Sequence, residues 1–89
     1  MPRIIFSGHK KCIAEFDAED VQFEPQEGAL LLTAGGTMVA QDTAMVEELL
    51  QGNASCNVTI TKDGRKVLDQ VFRITIFAFE ANNLAVLLE

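Results

Sequence analysis

The residues best suited to chemistry in this chain of 89 residues are its only histidine and its two cysteines. His9 lies three residues before Cys12, and an imidazole so placed could activate a thiol that is exposed and has a lowered pKa. Cys12, however, begins an alternating run with Ala14 and Phe16 that predicts a buried side chain. The pattern therefore favours a packed thiol over a nucleophile, and we expect no catalytic residue.

Signals for metal and phosphate binding are weak. Zinc sites use three or four cysteine or histidine ligands, and His9, Cys12 and Cys56 lack the close pairing of such sites. The acidic stretch 17–20 lacks the glycine and the spacing of a calcium-binding loop. Gly35 and Gly36 follow a predicted strand, as phosphate-binding glycines do, but no lysine or arginine lies within twenty residues of them. We expect neither a cofactor nor a metal ion.

The formal net charge of −6 is unevenly distributed. Residues 1–11 hold three basic residues, residues 12–61 hold nine acids and no lysine or arginine, and the remaining residues balance four of each. Nucleic-acid affinity depends on cations that neutralise phosphates, so we expect no binding to DNA or RNA. Six acids lie within thirteen positions: Glu15, Asp17, Glu19, Asp20, Glu24 and Glu27. They predict either a face that binds a basic protein partner or a merely solubilising face.

The composition, 48% hydrophobic and 22% charged, is typical of a globular protein, and the length predicts a single compact domain over residues 1–89. No apolar run approaches the length of about 20 residues that crosses a bilayer, so we expect no membrane span. The N-terminal apolar segment is too short for a signal peptide. A cytoplasmic protein with two reduced, buried cysteines is the expectation.

Turn residues separate short segments that are rich in β-branched and aromatic residues and have a period near two, a pattern typical of strands. Strands are predicted over residues 3–6, 12–17, 21–24, 29–33, 55–61, 66–80 and 84–88. One helix is predicted over residues 43–51, with Asp42 as N-cap, Gly52 and Asn53 as its end, and an apolar stripe of Met45, Val46, Leu49 and Leu50. The predicted fold is α+β and β-dominated: a small antiparallel β-sandwich or partly closed barrel of six to eight strands with one short helix.

Four turns are predicted between the strands. A hairpin at Asp63-Gly64 would place Ile60 opposite Val67 and Thr59 opposite Leu68. A second hairpin at Asn82-Asn83 would place Phe79 opposite Val86 and Phe77 opposite Leu88. Gly35-Gly36 could close a third, and Pro25 marks a wider turn.

The C-terminal hairpin is predicted to be apolar on both faces. Phe77, Phe79, Val86 and Leu88 would cover the core. A half-exposed antiparallel sheet should be polar on the face away from the core. Because that face of the hairpin is apolar, either the helix or another subunit must cover it. We expect a homo-oligomer whose interface includes Phe72, Ile74, Ile76, Ala85 and Leu87.

Two functions are predicted from these surfaces. The first is a non-enzymatic structural or assembly protein that self-associates through strand edges or through the apolar face of the C-terminal hairpin, by analogy with small virion or tail components. The alternative is a small acidic binding module, of inhibitor or immunity type, that docks its residue 15–27 face on a basic partner.

Overall fold

Six antiparallel strands form a closed barrel in the computed structural model, which describes residues 2–8, 11–52 and 54–89. The elements in chain order are β1 (Arg3–Gly8), β2 (Lys11–Gln26), β3 (Ala29–Gln41), α1 (Thr43–Leu50), β4 (Ala54–Lys62), β5 (Arg65–Glu80) and β6 (Asn83–Leu88). Around the barrel the strand order is β1-β2-β3-β6-β5-β4, and pairing of β4 with β1 closes it. The predicted β-dominated fold with one short helix is confirmed.

Alternation of apolar side chains fills the barrel interior. Ile4 and Phe6 of β1 are fully buried, and Val58 and Ile60 of β4 are buried opposite them. The ring of Phe6 meets the ring of Phe77 edge to face, with 5.4 Å between the centroids. These strands are where the sequence pattern predicts the core best.

Two of the predicted boundaries between strands lie within single long strands. Residues 12–17 and 21–24 belong to one strand, β2, which a bulge between Glu19 and Gln22 bends without ending it. Gly35 and Gly36 pair with β2 inside β3, so the predicted hairpin there is wrong, and these glycines do not form a phosphate loop. The turn predicted within residues 24–28 is present but is narrower than predicted, because Pro25 pairs with Leu30 and the chain turns at Glu27-Gly28.

Bulges also change which face a side chain occupies. Phe6 pairs with Ala14 and Ser7 pairs with Cys12, which leaves Ile13 as the extra residue of β2. As a result Ile13 is buried and Cys12 is exposed. The predicted burial of Cys12 is therefore wrong.

Both C-terminal hairpins form, but their registers differ from those predicted. Thr61 pairs with Lys66 next to the Asp63-Gly64 turn, and a bulge then places Ile60 opposite Leu68 rather than Val67 and Thr59 opposite Asp69. In the last hairpin Glu80 pairs with Asn83, so the turn lies at Ala81-Asn82, one residue earlier than predicted.

The register of the last hairpin changes the predicted partners and keeps the predicted face. Phe77 pairs with Val86, and Phe79 pairs with Leu84. A change of two positions in partner preserves the alternation of a strand. Phe77, Val86 and Leu88 are accordingly buried, as predicted.

Helix α1 begins where the sequence predicts. The Asp42 carboxylate accepts a hydrogen bond from the Met45 backbone N–H at 3.3 Å, as an N-cap does. Val46 and Leu49 are buried, whereas Leu50 is 57% exposed. Asn53 lies outside the described residues. No helix in the described ranges combines the length and apolar character of a membrane span.

Thr75 is the extra residue in a bulge of β5, because Ile74 pairs with Leu88 while Ile76 pairs with Leu87. Its Oγ1 atom is buried and has no hydrogen-bond partner among the described residues. An unsatisfied hydroxyl costs about 1–3 kcal/mol, so Thr75→Val is expected to raise the free energy of unfolding by about 1 kcal/mol in urea titrations.

Thr59→Val is the matched control for that substitution. The Thr59 hydroxyl accepts a hydrogen bond from the Asn57 amide at 2.9 Å and donates one to the Asp69 carboxylate at 3.1 Å. Its removal should give no stabilisation. A gain from Thr59→Val equal to that from Thr75→Val would show that valine helps simply by favouring strands.

Candidate interaction surfaces

An apolar patch on the outside of three neighbouring strands is the first candidate surface. Leu31 pairs with Leu87, and Leu87 pairs with Ile76, so one apolar row crosses β3, β6 and β5. In the next row Ala85 pairs with both Thr33 and Ala78. We call this patch the outer apolar face, and it comprises Leu31, Thr33, Ile76, Ala78, Ala85 and Leu87.

Helix α1 leaves this face uncovered. The helix packs against β5 and β2, yet Ile76 remains 53% exposed. Charged groups lie at the rim: Glu24 pairs with Leu31 at the β2 side, and Glu80 lies at the turn into β6. The two rows themselves hold no charged residue.

The structure separates the five predicted interface residues. Ile76, Ala85 and Leu87 lie on the outer apolar face. Ile74 is fully buried, and Phe72, opposite the buried Cys56, packs partly buried against the core. The bulge at Thr75 is the cause, because it interrupts the alternation that would place Ile74 and Ile76 on one face. The prediction is wrong for Ile74, and Phe72 lies outside the outer apolar face.

The six acids of the predicted binding face also divide into two groups. The Arg3 guanidinium lies 2.8 Å from the Asp17 carboxylate and 3.4 Å from the Glu15 carboxylate. The hydrogen bond to Asp17, followed by the charges of Asp17 and Glu15, raises the pKa of Arg3. These two acids are thus partly neutralised on the barrel wall. The other four are exposed on the β2–β3 hairpin: Glu19, Asp20, Glu24 and Glu27.

Residues 19–27 carry those four acids, and we call this segment the acidic arm. Beside the arm a cleft of about 400 Å³ opens at the end of the barrel. Its lining is mainly apolar, with one acid and one base: Pro2, Asp20, Val21, Phe23, Ile60, Lys62 and Val67. The sequence pattern missed this cleft because it divided β2 into two short strands.

Of the three residues first considered for catalysis, the structure describes the two cysteines. His9 lies outside the described residues. Partial desolvation of the otherwise exposed Cys12 thiol, and then the charge of Glu15, raises its pKa, and burial raises the pKa of Cys56 to about 11. Both shifts disfavour the reactive thiolate at neutral pH. The described residues hold no cluster of three metal-ligating side chains.

The two thiols are expected to differ sharply towards a thiol reagent. Cys12 is exposed and should be labelled in the native protein, whereas buried Cys56 should react only on unfolding. Because the pKa of Cys12 is raised above 9.0, its thiolate is not yet fully formed at pH 9.0, and its labelling rate should continue to increase above that pH. Mass spectrometry of timed samples measures both rates. Persistent native labelling in Cys12→Ser would show that Cys56 is accessible.

Comparisons with protein families, with curated proteins and with solved structures find no match. The outer apolar face, the acidic arm and its cleft are therefore the basis for a proposal about function.

Proposed function

We propose that this protein is a non-enzymatic assembly protein that self-associates through its outer apolar face. The observation that supports this proposal is the apolar row formed by Leu31, Leu87 and Ile76, in which Ile76 is 53% exposed and the two leucines are half-buried. An antiparallel sheet that faces water is normally polar on that side. A contiguous apolar patch on the outside of a small protein is a candidate interaction site.

The outer surface of β4 and of the first half of β5 provides the contrast. On the outside of β4 and β5 the Asp69 carboxylate accepts hydrogen bonds from the Asn57 amide at 2.8 Å and from the Thr59 hydroxyl at 3.1 Å. Lys66 lies 3.2 Å from the same carboxylate. The surface around Asp69 thus carries a polar network that the outer apolar face lacks.

A second copy of the chain is the partner that this face fits. In a two-fold dimer the same patch of each copy contacts the other. Because the two rows hold no charged residue, this contact brings no like charges together, although each copy has a net charge of −6. The strand edges are a poorer route. Past Glu19 the β2 edge carries a bulge and Pro25, which leave only a few residues free to pair, and the β5 edge carries Lys66 and a bulge.

We place this assembly in the cytoplasm. Both cysteines are free thiols, as is usual where the compartment is reducing.

The proposal is tested by the mass of the protein at tens of micromolar, measured by light scattering behind gel filtration. The wild type should exceed its monomer mass of 9.7 kDa, and Ile76→Lys should return it to that mass without changing the circular dichroism spectrum. Val71→Lys is the matched control, because Val71 lies on the same strand, is 64% exposed and is not part of the outer apolar face. A wild-type monomer, or equal dissociation by the two variants, would overturn the proposal.

A further inference from the structure

The cleft beside the acidic arm lies where a strand of the barrel ends before its neighbour. The last pair between β1 and β2 joins Arg3 to Asp17, whereas β2 continues through residues 18–26. The Ala18 N–H still donates to the Pro2 carbonyl at 2.9 Å. Beyond that bond, the described residues place no strand against this side of β2. The backbone of the arm therefore has an edge available for pairing in line with β1.

The floor of the cleft suits apolar side chains. Phe23 of the arm is 41% exposed, and Val67 on the facing hairpin is 58% exposed. Ile60 and Val21 line the space between them. An extended segment on the β2 edge would direct alternate side chains into this space, because side chains alternate between the faces of a sheet.

The negative charge beside the cleft favours a positively charged segment. The acidic arm carries Glu19, Asp20, Glu24 and Glu27, all exposed and without a salt bridge in the part of the chain that the structure describes. Lys62 is the one cation that lines the cleft in those ranges. A concentration of one sign of charge attracts the opposite sign and speeds its association.

We propose that this cleft binds an extended, basic segment of a partner protein, which adds to β2 as a short strand in line with β1. Backbone hydrogen bonds to β2 supply affinity, alternate apolar side chains enter the cleft, and lysine or arginine side chains between them meet the acidic arm. Pro25 has no N–H to donate, and the bulge between Glu19 and Gln22 interrupts the edge, so pairing is confined to a few residues.

A different protein, and not a second copy, is the occupant that the charges favour. Each copy has a net charge of −6, which opposes insertion of this chain into its own acidic cleft. The four basic residues of the second half, Lys62, Arg65, Lys66 and Arg73, lie in β4 and β5, which are already paired with each other within the barrel. This site is separate from the outer apolar face and does not depend on self-association.

The probe for this site is a synthetic peptide of alternating lysine and valine with blocked ends, and the control is its glutamate–valine counterpart. Titration into the isotope-labelled full chain, followed by NMR, should shift the signals of residues 21–23 and 60–62. The affinity should fall as salt rises. Shifts confined to the outer apolar face, or equal binding of the glutamate peptide, would overturn the proposal.

Charge variants show whether the acidic arm itself is required. The double variant Asp20→Lys with Glu24→Lys should weaken binding of the lysine peptide by about tenfold or more. The control Glu47→Lys with Glu48→Lys makes the same change in net charge on exposed positions of α1, outside the cleft, and should change the affinity by about twofold or less. Equal weakening by the two double variants would reduce the effect to overall charge and overturn the role of the arm. Cleft shifts that grow with protein concentration in the absence of peptide would identify a second copy as the occupant and overturn the assignment to a partner.

Discussion

Phe6→Ala is expected to lower the free energy of unfolding by about 3–5 kcal/mol. Phe6 is fully buried, and its ring lies 6.0 Å from that of Phe16 and 5.4 Å from that of Phe77, measured between centroids. The three rings come from β1, β2 and β5, so truncation removes contacts to two other strands at once. Because the total stability of such domains is about 5–15 kcal/mol, much of it should be lost.

Phe23→Ala is the matched control for this loss, since it removes the same atoms from a ring that is 41% exposed at the cleft. It should cost about 1–2 kcal/mol, as expected for partial burial. Urea unfolding followed by circular dichroism measures both variants. Equal losses of stability would mean that the aromatic cluster does not hold the barrel together. In the peptide titration, by contrast, Phe23→Ala should weaken binding.

Gly36→Ala is expected to destabilise the barrel by about 3 kcal/mol or more, through backbone strain and overpacking together. A Cβ atom at Gly36 would lie 2.1 Å from the Asp17 carbonyl oxygen and 2.9 Å from the Ala18 Cα. Both are backbone atoms of the paired strand β2, so no side chain can rotate away to make room. The β2–β3 ladder itself must shift.

Gly35→Ala separates this steric effect from the general cost of replacing a glycine. A Cβ at Gly35 would meet its nearest atoms at 3.9 Å, which is ordinary contact. Gly35→Ala should therefore change the free energy of unfolding by about 1 kcal/mol or less. A similar loss in the two neighbours would contradict the close approach at Gly36.

Local patterning predicts those parts of this fold in which each strand alternates without interruption. Residues 55–61 and 3–6 are such segments, and their buried residues can be inferred directly from sequence. Asp42 and the helix that it caps are equally local, because a cap depends on residues three positions apart. These features need no knowledge of the contacts that the chain makes elsewhere.

Bulges are the main reason that the remaining predictions were wrong. Ile13, Val67 and Thr75 are each an extra residue on one strand, and each reverses the face of its neighbours in the strand or changes their partners. None is glycine, so the sequence marks none of them. The errors at Cys12 and Ile74 have this one physical origin.

The glycine pair was assigned to a turn for a related reason. A Gly-Gly pair between apolar runs favours a turn, but here the pair lies where β3 bends tightly against β2. The same long strands create the acidic arm and the cleft beside it. A surface that depends on one strand ending before its neighbour arises from tertiary pairing, and residue spacing alone does not predict it.

The strand order has a consequence for how this chain is made. β3 pairs on one side with β2 and on the other with β6, which is the last of the six strands in chain order, so the barrel cannot close until β6 has left the ribosome. Until then the edges of β3 and β5 are open, with Leu32 and Phe77 uncovered. Contacts between residues that are distant in sequence also form slowly. During synthesis the nascent chain thus exposes apolar strand edges that favour aggregation, and the emergence of β6 is the step that allows the barrel to close.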